Sequence, residues 1–542
     1  MNGARAIVKA LEKEGVTHIF GYPGATIAPL YDMLAHSKKI KHVLVRHEQH
    51  AGHAASGFAR ISGKPGVCMV TSGPGAVNLL TALATAYADS IPLVAITGQV
   101  HSSLLGRDVF QEADTTGAAE PFTKYSYLVK DTAALPRIVK EAFQIASTGR
   151  PGPVLIDIPV DVQLAEAAFE FPAKAPVRGY GVPGKAPAAQ LTKFLSVLKG
   201  AESPLVCAGG GIFSSHAEKV FTRFVEKTNI PVVTTLMGIG ALPTAHPLNM
   251  GQVGMHGKST ANDAISEADV LILMGARVSD RAVLLPDKVK RKTKIVHIDI
   301  DPAEIGKNLD TSLSIVGNLA DVLRQLLERK LPVADDAWAA RLTRMKKARA
   351  TDYTDRARAV NPKAFVNYLS KKIPADYIYC ADVGQNQLWS AGNIKLPEGA
   401  RFLTTGGMGT MGYAIPCAIG ARIAAPDRFT VAVCGDGSFQ MSLMELATLK
   451  QHEVDIKIVV MVNGKLGLVR EIQTDSYADN QIAVDLSGSP DPVAIAAAYG
   501  IPAEHVRNKE EAFAAIKKLA RVKGPYLLAV TVEETESTLA GA

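Results

Sequence analysis

The stretch Gly435-Asp436-Gly437-Ser438-Phe439 follows an apolar run, residues 430–434, and predicts a buried strand that ends in a glycine turn and enters a helix. A second apolar run, residues 456–462, ends at Asn463. Two parallel strands would deliver the Asp436 carboxylate and the Asn463 amide to the same edge of a sheet. Hard oxygen ligands of this kind, beside glycine N–H groups at a helix N-terminus, suit a Mg²⁺ ion that holds a diphosphate. The sequence therefore predicts a metal-diphosphate site at this turn.

The bulk composition predicts a soluble globular chain of several domains. Its 542 residues exceed what one hydrophobic core supports, and 47% of them are apolar. The longest apolar runs reach only strand length, so we expect no membrane-spanning segment. The N-terminus enters an amphipathic helix pattern without signal-peptide anatomy, so we expect a cytoplasmic location.

Charge and cysteine content argue against two further classes of site. The formal net charge of +7 is modest for this length. Its densest basic run, residues 341–358, is better explained as a solvated helix than as a nucleic-acid surface, because no nucleic-acid-binding motif accompanies it. The five cysteines are scattered without a C-x-x-C pair, which argues against a disulfide framework or a zinc site.

Strand-like and helix-like segments alternate almost throughout the chain, a pattern that predicts parallel α/β architecture with helices on both sheet faces. Two Pro/Gly-rich or charged stretches, near residues 166–189 and 331–362, look like interdomain connections. We therefore expect an α/β chain of three doubly wound parallel-sheet domains, at residues 1–165, 190–330 and 362–542.

Polar and glycine-rich turns follow several of the predicted strands. Glu48 comes after the strand at 43–45, and the strand at 67–70 ends in the turn 71–76. The middle domain repeats the strand–glycine turn at residues 204–211. Doubly wound sheets bind nucleotides at strand ends of this kind. One such turn is weak evidence, but several in this order point to a cofactor-binding chain.

Taken together, these segments resemble the large catalytic subunits of acetohydroxyacid (acetolactate) synthases, which are thiamin diphosphate enzymes. The resemblance covers nearly the whole chain. The segments that carry it are 20–24 (FGYPG), 46–49 (RHEQ), 71–76 (TSGPGA), 96–99 (ITGQ), 110–114 (FQEAD), 149–154 (GRPGPV), 254–257 (GMHG), 299–305 (DIDPAEI), 382–385 (DVGQ), 409–412 (GTMG) and 435–439 (GDGSF).

The resemblance implies a role for each predicted domain. The first would bind the thiamin pyrimidine, the middle one FAD, and the last the diphosphate with Mg²⁺. The active sites would lie between two subunits of a homodimer or homotetramer, and a small regulatory subunit is a further expected partner. The substrates would be small 2-ketoacids, with neither a nucleic acid nor a membrane as partner.

Glu48 is the implied catalytic residue. Its carboxyl group would hydrogen-bond the aminopyrimidine ring and promote proton transfer there, a general acid–base role. The alternative is a surface glutamate favoured by the helix dipole. The implied metal ligands are Asp436, Asn463 and the Lys465 carbonyl. The implied cofactor-binding residues are Gly24, Gln385, Asn386, Gly409, Met411, Gly435, Asp436, Gly437, Ser438, Asn463 and Lys465.

The resemblance also implies a substrate pocket and a flavin site. Arg281 would clamp the carboxylate of the second substrate, because a guanidinium can bind it bidentately. The pocket residues implied are Phe110, Gln111, Lys124, Met255, Arg281, Val383 and Ile472. The FAD residues implied are Arg150, Gly209, Gly210, Gly211, Met255, His256, Gly275, Ala276, Arg277, Asp280, Asp299, Ile300 and Glu304. The flavin's role would be structural, since the net reaction transfers no electrons.

The reaction implied is decarboxylation of pyruvate and transfer of the hydroxyethyl group to a second 2-ketoacid, pyruvate or 2-ketobutyrate, in branched-chain amino-acid biosynthesis. Ile472 stands where the family carries a tryptophan, which predicts weaker selection of 2-ketobutyrate. Ala25 and Thr26 also depart from the family pattern. A catabolic acetolactate synthase, another thiamin diphosphate carboligase or decarboxylase with a shifted acceptor, and a catalytically silent paralogue remain as alternatives.

Overall fold

Three six-stranded sheets dominate the computed structural model, which describes residues 1–279, 289, 293–354 and 359–539. Neighbouring strands run parallel within each sheet. Strands such as 93–99 and 153–159 are buried along their whole length, as expected for parallel strands covered by helices on both faces. The predicted α/β fold of three doubly wound sheets is confirmed.

The first sheet has the strand order β2-β1-β3-β4-β6-β5. Its strands are β1 (His18–Tyr22), β2 (Lys41–Leu44), β3 (Gly66–Val70), β4 (Leu93–Gln99), β5 (Tyr125–Leu128) and β6 (Pro153–Pro159). The helices around it are α1 (Gly3–Lys13), α2 (Ala28–Ala35), α3 (Glu48–Ser62), α4 (Pro74–Ala88), α5 (Thr115–Ala119), α6 (Leu135–Ser147) and α7 (Val160–Leu164). The order reverses between β1 and β3, which makes their carboxyl ends the switch point of this sheet.

The second sheet has the order β12-β11-β10-β7-β8-β9. Its strands are β7 (Pro204–Ala208), β8 (Val232–Thr234), β9 (Asn249–Gln252), β10 (Val270–Met274), β11 (Lys294–Asp299) and β12 (Leu313–Val316). The helices are α8 (Ala188–Lys199), α9 (Gly211–Ser214), α10 (Glu218–Thr228), α11 (Ser259–Glu267), α12 (Leu319–Leu327) and α13 (Asp336–Ala348). Counted within the sheet, this is the 3-2-1-4-5-6 order of dinucleotide-binding folds, with its switch point between β7 and β10.

The third sheet has the order β14-β13-β15-β16-β18-β17. Its strands are β13 (Ile378–Ala381), β14 (Arg401–Leu403), β15 (Thr430–Gly435), β16 (Lys457–Val462), β17 (Ala503–Val506) and β18 (Tyr526–Thr531). The helices are α14 (Pro362–Lys372), α15 (Gln385–Asn393), α16 (Ala414–Ala424), α17 (Asp436–Gln440), α18 (Leu446–Gln451), α19 (Gly467–Ser476), α20 (Pro492–Ala498) and α21 (Lys509–Leu519). This order repeats that of the first sheet, so its switch point lies between β13 and β15.

Helix α3 beside the first sheet crosses α16 beside the third at very short range. A Cβ atom built on Gly57 would lie 2.0 Å from the Cys417 carbonyl oxygen, and one on Gly420 would lie 1.8 Å from that of Ala54. Glycine is therefore required at both positions. The two helices run antiparallel, because the start of α16 contacts the end of α3: the Arg60 guanidinium donates to the Tyr413 hydroxyl at 3.1 Å.

The other end of this crossing is held by a buried carboxylate. Glu445 accepts hydrogen bonds from the Arg46 N–H and the His50 Nδ1 atom, each at 2.8 Å. The first and third sheets are thus fixed to one another at both ends of α3.

Two sequence predictions can be compared with the remaining structure. Within the part of the chain that the structure describes, no helix is both long and apolar enough to cross a membrane. The basic run at 341–358 begins inside α13, and residues 355–358 lie outside the described residues. The exact domain boundaries stay a prediction.

Candidate active site

The switch point of the third sheet gathers the residues that the sequence assigns to the diphosphate. Strand β13 leads into Gln385 and Asn386 at the start of α15, and β15 leads into Asp436 at the start of α17. Strand β16 lies beside β15 and ends one residue before Asn463. Ligands of doubly wound sheets bind outside the carboxyl ends of the strands at such a point.

Asp436 is the buried acid of this group, with 6% of its surface exposed. One carboxylate oxygen accepts hydrogen bonds from the backbone N–H groups of Asn463, at 3.1 Å, and Gly464, at 2.7 Å. The other accepts from the Gly437 N–H at 3.0 Å. Burial raises the pKa of this carboxyl group, and these three hydrogen bonds oppose the rise. The bonds fix the carboxylate against the loop that carries Asn463.

Asn463 and Gln385 form a pair of amides beside this carboxylate. The Asn463 Nδ2 atom donates to Gln385 Oε1 at 3.2 Å, and the Gln385 Nε2 atom donates to Glu471 Oε2 at 3.0 Å. The Asn463 Oδ1 atom accepts from the Lys465 N–H at 3.1 Å. The Lys465 ammonium group points elsewhere and pairs with Asp485 at 2.7 Å, so a metal could meet Lys465 only through its backbone.

The chemistry of this donor set fits Mg²⁺ with a diphosphate. A carboxylate, an amide oxygen and a backbone carbonyl are hard oxygen ligands, which Mg²⁺ prefers. The backbone N–H groups at the start of a helix suit phosphate oxygens, and Gly437 and Ser438 lie there on α17. The Ser438 hydroxyl is bonded to Gly435 at 3.1–3.2 Å, which stabilises the turn itself.

Asn386 has a different environment from the one that the sequence suggests. Its Nδ2 atom donates to the carbonyl oxygens of Asp382, at 3.0 Å, and Val433, at 3.1 Å. Both amide hydrogens are therefore used to join the ends of β13 and β15. A contact between Asn386 and the diphosphate stays a prediction.

Met411 lies in a loop that faces the same site. Its Cε atom is 3.7 Å from a Cβ built on Gly437, and a Cβ on Gly409 would lie 4.0 Å from the Val383 side chain. Gly409 has φ = +64°, a conformation that glycine adopts without strain. The structure thus brings Gly409, Met411 and Val383 to the diphosphate residues.

Asp382, which was not among the site residues predicted from the sequence, anchors this loop. Its buried carboxylate accepts from the backbone N–H of Gly412 at 2.9 Å and of Ala414 at 2.8 Å. Burial raises the pKa of this carboxyl group to about 6, although its hydrogen bonds oppose the rise. Its place at the end of β13, next to the switch point, was the signal that could have identified it.

The switch point of the first sheet holds Glu48. It begins α3, and the Asn78 side chain on α4 donates to its Oε2 atom at 3.0 Å. A Cβ built on Gly75 would lie 3.4 Å from its Oε1 atom, so the bare glycine leaves room beside the carboxylate. Asn78 was also missed, because only the fold shows that α4 brings it to Glu48.

Gly24 borders the same switch point, where the loop after β1 meets the loop after β3. A Cβ at Gly24 would lie 2.5 Å from the Thr71 side chain. The Thr26 hydroxyl is 2.9 Å from that of Thr71 and accepts from the Ser72 N–H at 3.0 Å. Thr26, one of the two departures from the family pattern, therefore cross-links these loops.

Helix α3 links the switch point at Glu48 to the segment that follows Met411. Glu48 begins α3, whereas Arg60, near the end of that helix, contacts Tyr413 next to the Met411 loop. Twelve residues of α-helix separate Glu48 from Arg60, a rise of about 18 Å. The Tyr413 hydroxyl also lies 3.0 Å from that of Ser56, and its ring centroid lies 5.2 Å from that of His53, so this segment contacts the middle of α3 as well.

The predicted substrate residues are scattered over the two regions. Phe110 is 85% exposed, and the backbone of Gln111 packs against Gly73 beside the first switch point. Ile472 is half exposed on α19, next to Glu471, and Met255 is partly exposed in the loop before α11. Arg281 lies outside the described residues.

Lys124 is not brought together with these residues. Its ammonium group donates to the carbonyl oxygens of Ile145 and Thr148 at the end of α6, the latter at 2.7 Å, and to the Tyr180 hydroxyl at 3.0 Å. Burial lowers its pKa to about 8. These contacts describe a lysine that caps a helix, and its place in the substrate pocket stays a prediction.

The switch point of the second sheet carries the glycines predicted for FAD. A Cβ on Gly209 would lie 2.2 Å from the Gly275 carbonyl oxygen, and one on Gly211 would lie 2.5 Å from the Gly275 Cα atom. Gly210 lies between Gly209 and Gly211 in the sequence, and Ala276 and Arg277 follow directly on Gly275. The turns after β7 and β10 touch through bare backbone, and the Gly211 N–H donates to the Gly275 carbonyl oxygen at 2.9 Å.

Acidic residues complete the predicted flavin region. Asp299 ends β11, and burial raises its pKa to about 6. Arg150 of the first sheet's unit pairs with Asp301 at 3.2 Å and with Glu304 at 2.7 Å. Ile300 lies between the two aspartates, His256 contacts Thr538, and Asp280 lies outside the described residues. The strand order, the glycine turns and these acids fit a dinucleotide.

Comparison with known proteins places the chain among related sequences along its whole length. Residues 1–118, 191–326 and 382–530 match the family models of the thiamine pyrophosphate (TPP) enzyme N-terminal TPP binding domain, central domain and C-terminal TPP binding domain. The chain is 43% identical to the "Probable acetolactate synthase large subunit" of Methanocaldococcus jannaschii, over 99% of this chain and 93% of that protein.

Two further relatives carry similar names. The chain is 43% identical to the "Acetolactate synthase large subunit" of Corynebacterium glutamicum, over 96% of this chain and 85% of that protein. It is 40% identical to the "Acetolactate synthase isozyme 2 large subunit" of Escherichia coli K12, over 99% of this chain and 96% of that protein.

Proposed function

The chain belongs to the thiamine pyrophosphate enzymes and, within them, to the acetolactate synthases, and on this premise we propose how its own residues share the reaction. Its activity is that of an acetolactate synthase: two molecules of pyruvate give one 2-acetolactate and one CO₂. The observation that carries the residue assignments is that Glu48 and the Asp436–Asn463 pair occupy equivalent switch points of two sheets with the same strand order. The cofactor, which has a ring at one end and a diphosphate at the other, is held between two such points.

Thiamin diphosphate supplies, when bound, the nucleophilic carbon that attacks the keto group of pyruvate and the electron sink that allows loss of CO₂. Glu48 holds and returns a proton at the aminopyrimidine ring. Because Asn78 donates to Oε2 of Glu48, we assign the proton to Oε1, which faces the space left open by Gly75.

Asp436, Asn463 and the Lys465 carbonyl hold the Mg²⁺ ion in this proposal. The Ser438 N–H at the start of α17 contacts the diphosphate oxygens, with Gly437 and Gln385 beside it. Gly409 and Met411 hold the pyrimidine from the side opposite Glu48. Two observations support these assignments. The donor atoms are of the kind that Mg²⁺ prefers. Asp436 accepts from the Asn463 N–H at 3.1 Å, and the Met411 Cε atom lies 3.7 Å from a Cβ built on Gly437.

The functional unit we propose is at least a homodimer, with Glu48 of one subunit facing Met411 of the other. The equivalent places of Glu48 and the Asp436–Asn463 pair in two sheets of the same strand order support this arrangement. Phe110 and Ile472, exposed in a single chain, would then be covered by the partner and the substrate. A small regulatory subunit is a further proposed partner, suggested by the "large subunit" names of the relatives.

Substrate recognition and FAD complete the proposal. Phe110, Gln111, Met255, Val383 and Ile472 line the acceptor pocket, with Arg281 on the carboxylate. FAD occupies the switch point between β7 and β10 as a structural group. A role in branched-chain amino-acid biosynthesis and a cytoplasmic location stay predictions.

Product analysis tests the proposal. Purified protein is incubated with pyruvate, thiamin diphosphate, Mg²⁺ and FAD, and 2-acetolactate and CO₂ are quantified. We expect one CO₂ per acetolactate, and we expect Glu48→Gln to lower kcat by a factor of about 10² or more. Full activity of Glu48→Gln would refute the assignment of Glu48, and products other than acetolactate would redirect the substrate assignment.

A further inference from the structure

Glu471, on α19, is a buried acid that the proposed reaction does not use. Only 8% of its surface is exposed. Its Oε1 atom accepts from the Ser537 hydroxyl and the Thr538 N–H, both at 2.8 Å. Its Oε2 atom accepts from the Thr538 hydroxyl at 2.9 Å and from Gln385 Nε2 at 3.0 Å. Four donors therefore converge on one carboxylate.

Three of these donors belong to the C-terminal strap, by which we mean residues 533–539. The strap is also held by Arg470, which donates to the Glu534 carbonyl at 2.8 Å, and by His256, which contacts the Thr538 hydroxyl at 3.1 Å. Although burial favours a neutral carboxyl group, the hydrogen bonds to Glu471 lower its pKa. Glu471 is thus a fixed, charged group that can only accept hydrogen bonds.

An acceptor at this position determines how the neighbouring amides are oriented. An amide side chain presents oxygen on one side and NH₂ on the other, and its orientation follows from its partners. Because Glu471 accepts, Gln385 must turn its NH₂ group towards it and its oxygen towards Asn463. That oxygen in turn requires the NH₂ group of Asn463, which leaves Asn463 Oδ1 on the side of the Lys465 N–H.

We propose that Glu471 is a positioning residue which acts through Gln385 to hold Asn463 with its oxygen, and not its NH₂ group, towards the Mg²⁺ ion. The inference rests on the proposed function, since it takes Asn463 as a metal ligand. It adds a residue that touches neither the metal nor the diphosphate and ties the metal site to the C-terminal strap.

Gly467 gives independent support for the link between the two amides. A Cβ atom at this position would lie 1.9 Å from Gln385 Oε1 and 2.8 Å from Asn463 Nδ2. The first residue of α19 must therefore be glycine, because any side chain there would collide with the two amides. The same helix, four residues later, supplies the carboxylate that orients them.

Glu471→Gln tests the proposal, because it keeps the shape of the side chain and adds one NH₂ group. The Ser537 hydroxyl and the Thr538 N–H, which both donate to Oε1, hold the oxygen of the introduced amide on their side. Its NH₂ group then takes the place of Oε2 and faces the NH₂ group of Gln385. Gln385 and then Asn463 must turn over to avoid this clash. Asn463 would then present NH₂ to the metal.

The measurement is calorimetric titration of Mg²⁺ into the full-length apoprotein with saturating thiamin diphosphate. We expect the apparent Kd for Mg²⁺ to rise about tenfold or more in Glu471→Gln, the usual effect of losing an outer partner of a metal ligand. Glu471→Asp keeps an acceptor and should bind Mg²⁺ more tightly than Glu471→Gln does. Ser537→Ala, the matched control, removes one strap hydrogen bond without changing the acceptor and should stay within about twofold of wild type.

The outcomes separate this inference from the proposed function. If the wild-type protein shows no Mg²⁺-dependent binding of thiamin diphosphate, the proposed function fails and this inference fails with it. If the wild-type protein binds but Glu471→Gln binds equally well, only the inference is overturned. An equal loss in Ser537→Ala would assign the effect to the strap and would also overturn it. Should Glu471→Gln not fold, Gly467→Ala disturbs the same amide pair and must weaken Mg²⁺ binding if the inference holds.

Discussion

A heterodimer that carries one damaged site residue in each chain gives the sharpest test of the active-site geometry. One chain carries Glu48→Gln and the other Asp436→Ala. Each homodimer lacks an essential group at both sites and is expected to be inactive. The two chains are co-expressed with different affinity tags, and the mixed dimer is isolated by sequential purification on both tags.

The expected activity of the mixed dimer depends on which chain supplies each residue of a site. If each site takes Glu48 from one chain and Asp436 from the other, as we propose, the mutations fall together in one site. The second site is then intact. The mixed dimer should therefore show about half of the wild-type kcat per dimer, with an unchanged KM for pyruvate, because two-fold symmetry gives two equivalent sites.

Acetolactate formation from pyruvate, with saturating thiamin diphosphate, Mg²⁺ and FAD, measures this activity. An inactive mixed dimer would refute the reasoning, since sites built within one chain would each contain one mutation. A mixed dimer reassembled from the two wild-type chains with the same tags is the control for losses during purification.

Three further predictions concern packing, pH and acceptor choice. Gly420→Ala should lower the free energy of unfolding by about 3 kcal/mol or more, because its methyl group would lie 1.8 Å from a backbone oxygen of α3. The control is Gly184→Ala, whose methyl group would meet nothing within 4 Å and should leave the urea unfolding curve unchanged. Equal effects of the two substitutions would contradict the prediction. Burial raises the pKa of Asp157 to about 7 from its ordinary value of 3.8. Between these two values the folded protein holds a proton that the unfolded chain releases. The contribution of this group to the stability of the folded state is therefore complete below about pH 4 and is lost as the pH rises through 7. Between pH 4 and 8, the unfolding midpoint of the wild-type protein should therefore fall relative to that of Asp157→Asn. If the two midpoints change in parallel with pH, the effect of Asp157 is ruled out. Ile472→Trp should raise the preference for 2-ketobutyrate over pyruvate by about tenfold, which lies within the 1–3 kcal/mol that one methylene contact contributes. The ratio of the two products is measured with both acceptors present. An unchanged ratio would exclude this position from the pocket.

The strand–turn–helix at Asp436 was predictable because its signals are local. An apolar run, a glycine turn and a following helix are adjacent in the sequence, and two such strands carry Asp436 and Asn463 to one sheet edge. The fold class followed from the same alternation of strands and helices. Glu48 could be selected only with the help of the family resemblance, since a glutamate at a helix start is otherwise common.

The supporting residues were missed because their partners are distant in sequence. Asn78 reaches Glu48 only after α4 packs beside α3. Glu471 meets its donors 66 and 67 residues later, at Ser537 and Thr538. The glycines that let α3 cross α16 are separated by more than 350 positions. A single sequence contains no local pattern that predicts such contacts.

The C-terminal strap gives this enzyme an order of assembly during its synthesis. All eighteen strands of the described residues end at or before Thr531, so the three sheets can form before the strap is made. Glu471 then still lacks its three donors from Ser537 and Thr538. A nascent chain that has completed every sheet would therefore hold Glu471, and through it Gln385, less firmly than the full chain does. The carboxylate of Glu471 is thereby fixed only after Ser537 and Thr538 have been translated.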